Sequence, residues 1–307
     1  MAHLTAYLFP GQGSQNVGMG QTLAQRSEVA RQTFAEADSI LEFSLSDLCF
    51  RGPADLLTET SNAQPAILTT SVAALRALQE AHPDLPQPAF LAGHSLGEYS
   101  ALVAAGVLQF ADAVRLTRAR GELMARAGKR SPGSMAAILG INDDQVAAIC
   151  VRAASETDSV VQVANYNSPG QVVISGEKAG VERAMEFAKE VRGRSRLLAV
   201  SIPAHSALMA SIADEFAAHV AATPLGSPSV PVIGNLSARP LAGRDQIRAE
   251  LVGQLTGSVR WTESVRTMME GGADRFVEIG PGAVLTGLVK RIAPEVETAN
   301  VAEPGDL

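Results

Sequence analysis

Apolar positions in this chain fall into two spacings. Short continuous runs are buried-strand signals, and longer stretches repeat with a helical period. Thr5–Phe9 is a run of the first kind, closed by Pro10 and the loop Gly11-Gln12-Gly13-Ser14-Gln15. Helical periodicity follows over residues 20–40 and from Gln64 to Ala81. Pro88–Ala92 is the next apolar run, and it leads through Gly93-His94-Ser95-Leu96-Gly97 into a helix over Glu98–Leu108 and another over Phe110–Ala127. Strands alternating with helices predict a parallel sheet covered on both faces, an α/β fold.

The pattern changes at Lys129-Arg130-Ser131-Pro132-Gly133. Beyond it the spacing predicts strand 134–140, helix 143–154, strands 160–166 and 171–175, helix 177–191 and strand 195–201. Asn167-Ser168-Pro169-Gly170 is the turn of a hairpin between the middle strands. This βαββαβ order is that of a ferredoxin-like unit. The expected division is therefore a catalytic core of residues 1–130 and 202–307, with 131–201 inserted as a small subdomain. After His205 the larger pattern resumes, with a helix over 207–222 and a buried strand at Val230–Asn235. Helices over 244–256 and 260–270, a strand at Arg275–Ile279 and a last helix after Gly280-Pro281-Gly282 complete it. The polar, acidic tail from Pro294 is expected to be loosely held.

Composition narrows the function classes. The 307 residues include 46% hydrophobic and 19% charged positions, enough for a large core. A net charge of −7 lacks the basic footprint of a nucleic-acid binder, so any anionic ligand needs a local basic site. Cys49 and Cys150 stand far apart without metal-ligand spacing, so two reduced thiols and no metal are expected. The N-terminus lacks a basic region followed by a long apolar run, and no stretch approaches the roughly 20 apolar residues of a membrane span. A cytoplasmic protein is expected.

The strand–GHSLG–helix segment carries the sharpest chemistry. A serine on the tight corner between a strand and a helix is exposed, and free N–H groups of the helix start favour negative charge beside it. Ser95 is thus the candidate nucleophile. It needs a base, and among the five histidines His205 is placed as a base should be, in a loop just after a strand and Pro203. His94 adjoins the serine, but neighbouring side chains at an elbow diverge, which leaves it a supporting role. No acid stands out as a third member. Glu98 reads as favourable charge in the first turn of a helix, so a Ser–His dyad held by a backbone carbonyl or amide fits better than a triad. The 11–15 loop fails as a dinucleotide fingerprint because Asn16 replaces the third glycine. As a turn that brings backbone N–H groups near Ser95, it would form half of an oxyanion hole, with the Leu96 amide as the other half. Spacing alone does not say which of Arg118, Arg120 and Arg126 points inward.

Eight segments, in order, closely resemble the malonyl-CoA:acyl-carrier-protein transacylases, in particular the stand-alone bacterial type. They are FPGQGSQ (9–15), QPA (64–66), GHSLGEYSAL (93–102), RARGELM (118–124), NYNSPGQVVISG (165–176), IPAHSALM (202–209), QLTGSVRW (254–261) and EIGPGAVLTGLVKRI (278–292). The resemblance implies an α/β-hydrolase-like core with a ferredoxin-like insert. It implies Ser95 as the acylated nucleophile, His205 as general base and acid, and the Gln12 and Leu96 amides as the oxyanion hole. Arg120 would grip the free carboxylate of malonate, and Gln254 would orient His205 through its backbone carbonyl. Asn165 and Asn167 would lie near the acyl-CoA or the carrier arm.

The implied substrates are malonyl-CoA and the phosphopantetheine thiol of an acyl carrier protein, with no cofactor, no metal and a monomeric enzyme. The implied pathway is fatty-acid synthesis. The same transfer serving polyketide synthesis or a malonate decarboxylase complex is the alternative. An acidic carrier calls for a basic patch, for which Lys129, Arg130, Arg192, Arg194 and Arg196 are candidates. A serine hydrolase is disfavoured by the missing acid, and a non-catalytic docking module by the presence of Ser95, His205 and Arg120 together.

Overall fold

The computed structural model describes residues 3–200, 202–303 and 305–306. Among the described residues nine strands form two sheets: β1 (Thr5–Phe9), β2 (Phe90–Gly93), β3 (Ser134–Leu139), β4 (Val161–Ser168), β5 (Gln171–Gly176), β6 (Arg194–Leu197), β7 (Val232–Ile233), β8 (Arg275–Ile279) and β9 (Glu297–Val301). The larger sheet has the order β7-β2-β1-β8-β9, and every pairing in it is parallel. Alternation along its strands divides the core. Tyr7, Phe9, Leu91, Val277 and Ile279 face one hydrophobic cluster with the helices Glu28–Leu41, Thr60–Ala81 and Phe110–Arg130. Ala6, Leu8, Ala92 and Phe276 face a second cluster, against the helices Trp261–Glu270 and Val284–Ile292.

The smaller sheet, β4-β5-β3-β6, is antiparallel throughout. Two helices, Asp143–Thr157 and Lys178–Glu190, cover one of its faces around Ile138, Val146, Ile174 and Phe187. Met135, Ala164 and Val173 point from the other face, where Leu198, Val200 and Ala204 pack against them. That face looks towards the carboxyl end of the parallel sheet, where open α/β sheets hold their ligands.

Several expectations are corrected. The tail is not loose: its Glu297–Val301 segment pairs in parallel with β8, and Val301 is buried. The expected strand at Val230–Asn235 shrinks to two residues because the chain bends away to place Asn235 under the serine. Helical residues 20–40 break at Ser27, whose side chain caps the second helix by accepting from the Ala30 amide. The expected strand 195–201 starts at Arg194 and ends at Leu197, and Ser201 lies outside the described residues. Residues 207–212 begin the expected helix as a 3-10 turn, and two short helices, Leu45–Arg51 and Ala54–Thr58, had no periodicity long enough to read. Among the described residues, no helix is long and apolar enough to cross a membrane.

Candidate active site

Ser95 stands where β2 turns into the helix Gly97–Ala104, with a φ of 51°, in the left-handed region that non-glycine residues rarely adopt. The glycines around it permit this corner. A Cβ on Gly93 would sit 1.9 Å from the Gly97 carbonyl carbon, and one on Gly97 would sit 2.0 Å from the Phe9 carbonyl oxygen. The corner is then pinned from below by Asn235, whose Oδ1 accepts the Ser95 amide at 2.7 Å while its Nδ2 donates to the Gly93 carbonyl at 2.7 Å.

His205 reaches the serine from the segment after β6, also at positive φ (56°). Its Nε2 lies 2.8 Å from Ser95 Oγ, and its Nδ1 lies 2.8 Å from the Gln254 carbonyl and 3.2 Å from that of Gly257. Two carbonyls can only accept, so Nδ1 carries the proton and Nε2 offers its lone pair to the serine hydroxyl. Burial, the Arg120 charge and His94 drive the His205 pKa down to about 3, against the pull of the two carbonyls. The imidazole is therefore neutral at ordinary pH. Gln162 of β4 ties its loop in place, donating to the His205 carbonyl at 3.2 Å and accepting from the Ala207 amide at 3.0 Å.

Arg120 is the arginine that points inward. It is 1% exposed and donates through Nη2 to Ser95 Oγ at 3.2 Å and to Gln254 Oε1 at 2.8 Å, and through Nη1 to Gln64 Oε1 at 2.8 Å. Arg118 and Arg126 instead pair with Glu122 and Glu215 at the surface. Every direct hydrogen-bond partner of the Arg120 guanidinium is neutral. Burial lowers its pKa, while the neighbouring Tyr99 and Glu98 oppose the shift.

The loop after β1 closes on the elbow so tightly that a Cβ on Gly11 would lie 2.3 Å from the His94 carbonyl oxygen. Among the described residues neither the Gln12 nor the Leu96 amide donates to a protein acceptor. Gln12 accepts from Thr60 Oγ1 through its side chain, which anchors the loop. His94 is half-buried, tilted against the Trp261 ring and joined through Nε2 to Asn167 Oδ1 at 2.8 Å. Asn167 thus spends its side-chain oxygen on His94, and Asn165 lines the same cavity beside it.

These groups open onto a cavity of about 620 Å³ between the parallel sheet and the uncovered face of the small one. Ser95, His205, Arg120, Gln12, Leu96, Asn165 and Asn167 all line it; Gln254 lies beneath them, fully buried. Reasoning from sequence missed three supports. Gln64 holds the guanidinium, Asn235 holds the elbow, and Glu98, though it stands in the first helical turn as read, is fully buried beneath the site. Burial and the nearby Glu250 push the Glu98 carboxyl well above its usual range, against the N–H groups donated by Asn235 and Gln254. Gln64 stood inside the QPA segment and Glu98 inside GHSLGEYSAL, whereas Asn235 lies in none of the matching segments. Among the described residues no cluster of His, Cys, Asp or Glu could hold a metal ion.

Such an arrangement can acylate a hydroxyl. A base can accept its proton, two backbone amides beside it have no protein acceptor among the described residues, and a buried cation has only neutral partners. The acyl transferase domain family matches residues 6–303 of the chain. The malonyl CoA-acyl carrier protein transacylase of Escherichia coli K12 is 46% identical over 300 residues, covering 97% of this chain and 96% of that protein. The crystal structure of an acyl carrier protein S-malonyltransferase from Vibrio cholerae superposes with a TM-score of 0.95 at 45% identity, covering 99% of this chain and 98% of that one. A malonyl-transacylase solved in complex with its type II PKS acyl-carrier protein matches with a TM-score of 0.95 at 44% identity, over 98% of this chain and 97% of that one. The chain belongs to the acyl transferase family and, within it, to the malonyl-CoA:acyl carrier protein transacylases.

Proposed function

We infer that this chain moves a malonyl group from malonyl-CoA to the phosphopantetheine thiol of an acyl carrier protein. The observation that carries this reading is the position of Arg120, a buried cation 3.2 Å from the nucleophile with only neutral partners. A planar guanidinium binds a carboxylate through two parallel charge-assisted bonds, so the acyl group that fits is one ending in a carboxylate. An acetyl group would leave the cation buried and unpaired, a discrimination on the order of 2–4 kcal/mol.

The steps follow from the geometry. His205 Nε2 takes the Ser95 hydroxyl proton as Oγ attacks the thioester carbonyl, and the Gln12 and Leu96 amides donate to the resulting oxyanion. Collapse breaks the carbon–sulfur bond, and the imidazolium returns its proton to the departing CoA thiolate. The carrier thiol then loses its proton to His205 and attacks the malonyl ester, which restores the free serine. This is a two-step exchange through a covalent intermediate. Gln254 orients the imidazole through its carbonyl and the arginine through its side chain. Asn167 holds His94, and Asn165 faces the arm of the incoming thioester.

Residues 131–201 act in this reading as an inserted unit whose sheet walls the cavity. Lys129 at the cavity and the exposed Arg194 and Arg196 of β6 offer a basic rim to an acidic carrier. The site is complete within one chain, which supports a working monomer. Two buried thiols, Cys49 and Cys150, suit the reducing cytoplasm. The curated bacterial relatives favour a carrier of fatty-acid synthesis; the PKS-associated relative uses the same chemistry with another carrier.

Intact mass after mixing with malonyl-CoA tests the reading. A malonyl adduct is expected, absent in Ser95→Ala, that passes to carrier thiol when carrier is added. Release of free malonate without carrier would make the chain a hydrolase, and the absence of any adduct would remove the enzyme assignment.

A further inference from the structure

None of the steps above uses the carboxyl of Glu98, yet it lies at the centre of the hydrogen bonds under the site. It sits three residues after the nucleophile, wholly buried in the first turn of the helix Gly97–Ala104. All of its bonds converge on one oxygen. Oε2 accepts from the Asn235 amide at 2.9 Å, from Asn235 Nδ2, and from Gln254 Nε2 at 3.2 Å. Its other oxygen, Oε1, has no partner among the described residues.

Both donors pass the constraint on to reacting groups. Asn235 presents its Oδ1 to the Ser95 amide, and Gln254 presents its Oε1 to Arg120 Nη2. A glutamine amide has an acceptor end and a donor end, so its direction must be chosen. In Gln254 the two hydrogens of Nε2 go to the Ser95 carbonyl at 3.2 Å and to Glu98, which leaves the oxygen for Arg120. Turned over, the amide would set N–H groups against the guanidinium and an oxygen against the carboxyl. Arg120 depends on this choice because Gln64 and Gln254 are its two anchors apart from the nucleophile itself.

We propose that Glu98 is a positioning residue for acyl-group selectivity: its Oε2 fixes the direction of the Gln254 amide, which in turn aims Arg120 at the carboxylate of the acyl group. This rests on Arg120 as the carboxylate-binding group. The work is done by an oxygen acceptor at the right place, not by a charge touching the substrate. Glu98→Gln keeps such an oxygen where three N–H groups converge, whereas Glu98→Asp keeps the carboxyl and withdraws the oxygen by one methylene.

The measurement is the ratio of kcat/KM for serine acylation by malonyl-CoA over acetyl-CoA. Loss of folded enzyme scales both substrates equally and leaves the ratio unchanged. Glu98→Asp is expected to lower the ratio by about 10-fold, as one displaced buried hydrogen bond does, and Glu98→Gln to keep it within about 3-fold of the parent. In a Gln254→Ala background, which retains the backbone carbonyl on His205, Glu98→Asp should no longer change the ratio. An unchanged ratio in Glu98→Asp, an equal fall in the Gln254→Ala background, or a fall in Glu98→Gln as large as in Glu98→Asp would each overturn the proposal. A parent enzyme with no preference for malonyl-CoA would instead overturn the reading of Arg120, so the two failures are distinct.

Discussion

Arg120 Nη2 donates to Ser95 Oγ across 3.2 Å, so the cation of the site rests directly on its nucleophile. The serine hydroxyl in turn faces the free nitrogen of His205 at 2.8 Å, and one oxygen thus meets both a donor and a base. In a hydrolase elbow no such cation is needed. Here it sets a positive charge with only neutral partners beside the nucleophile, and it lowers the basicity of the neighbouring imidazole.

Replacing the arginine separates these effects. If Arg120 binds the acyl carboxylate as proposed, Arg120→Ala removes a charge-assisted, two-bond grip worth on the order of 3–4 kcal/mol, and kcat/KM for malonyl-CoA should fall by about 10²–10³-fold. Acetyl transfer should survive or rise, because the buried cation no longer has to go unpaired. Serine acylation followed by mass with each thioester decides the matter; equal loss of both would remove the carboxylate-binding role.

The elbow leaves no room for a methyl group. Gly97→Ala would push a Cβ to 2.0 Å from the Phe9 carbonyl oxygen and 2.9 Å from that of Pro10, both backbone atoms of the central strand and its exit. Neither can swing aside as a side chain could. The variant should lose at least about 3 kcal/mol in urea unfolding, or abandon the corner and lose acylation. A variant with parental stability and rate would show that the strand and helix can separate there at no cost.

What the sequence made legible was local. Ser95 was readable because strand, turn and helix are contiguous, and His205 because a proline ends the segment just before it. The inward course of Arg120 was not readable from spacing and came only with the family resemblance, since it depends on which face of the helix Phe110–Arg130 meets the helix Thr60–Ala81. Two neighbouring arginines with the same local chemistry point outwards. Glu98 misled for the same reason. An acid in a first helical turn normally serves the dipole, and only Asn235 and Gln254, brought in from far along the chain, turn it into a buried acceptor. The tail misled because a short polar strand pairing in parallel at a sheet edge carries little hydrophobic signal.

That tail should matter to stability. Glu297–Val301 pairs with β8 along its whole length, Gly280 donates to the Val301 carbonyl at 3.0 Å, and Asn300 Nδ2 donates to the Gly282 carbonyl at 2.8 Å. Ending the chain at residue 293 removes these bonds and exposes the β8 edge. A loss of about 2–4 kcal/mol is expected, together with concentration-dependent association through the open edge. Urea midpoints and light scattering on the shortened chain measure both, and an unchanged midpoint would show that the strand adds nothing.

The pH dependence of acylation tests the electrostatic link between Arg120 and His205. A histidine acts as base only when neutral, and burial together with the Arg120 charge lowers its pKa from 6.5 to about 3. A depressed pKa means the base survives acidification: function is lost only as pH falls through the folded value, not through the ordinary histidine range. The acetyl-CoA acylation rate of the parent should therefore stay flat from about pH 8 to about pH 5. In Arg120→Ala the repulsion is gone while burial remains, so the imidazole gains a proton more readily and the acid limb moves up towards 6.5. Acetyl-CoA serves for both enzymes because its binding does not need the guanidinium. If the limb of Arg120→Ala lies no higher than that of the parent, the arginine does not set the basicity of His205, and burial alone accounts for it.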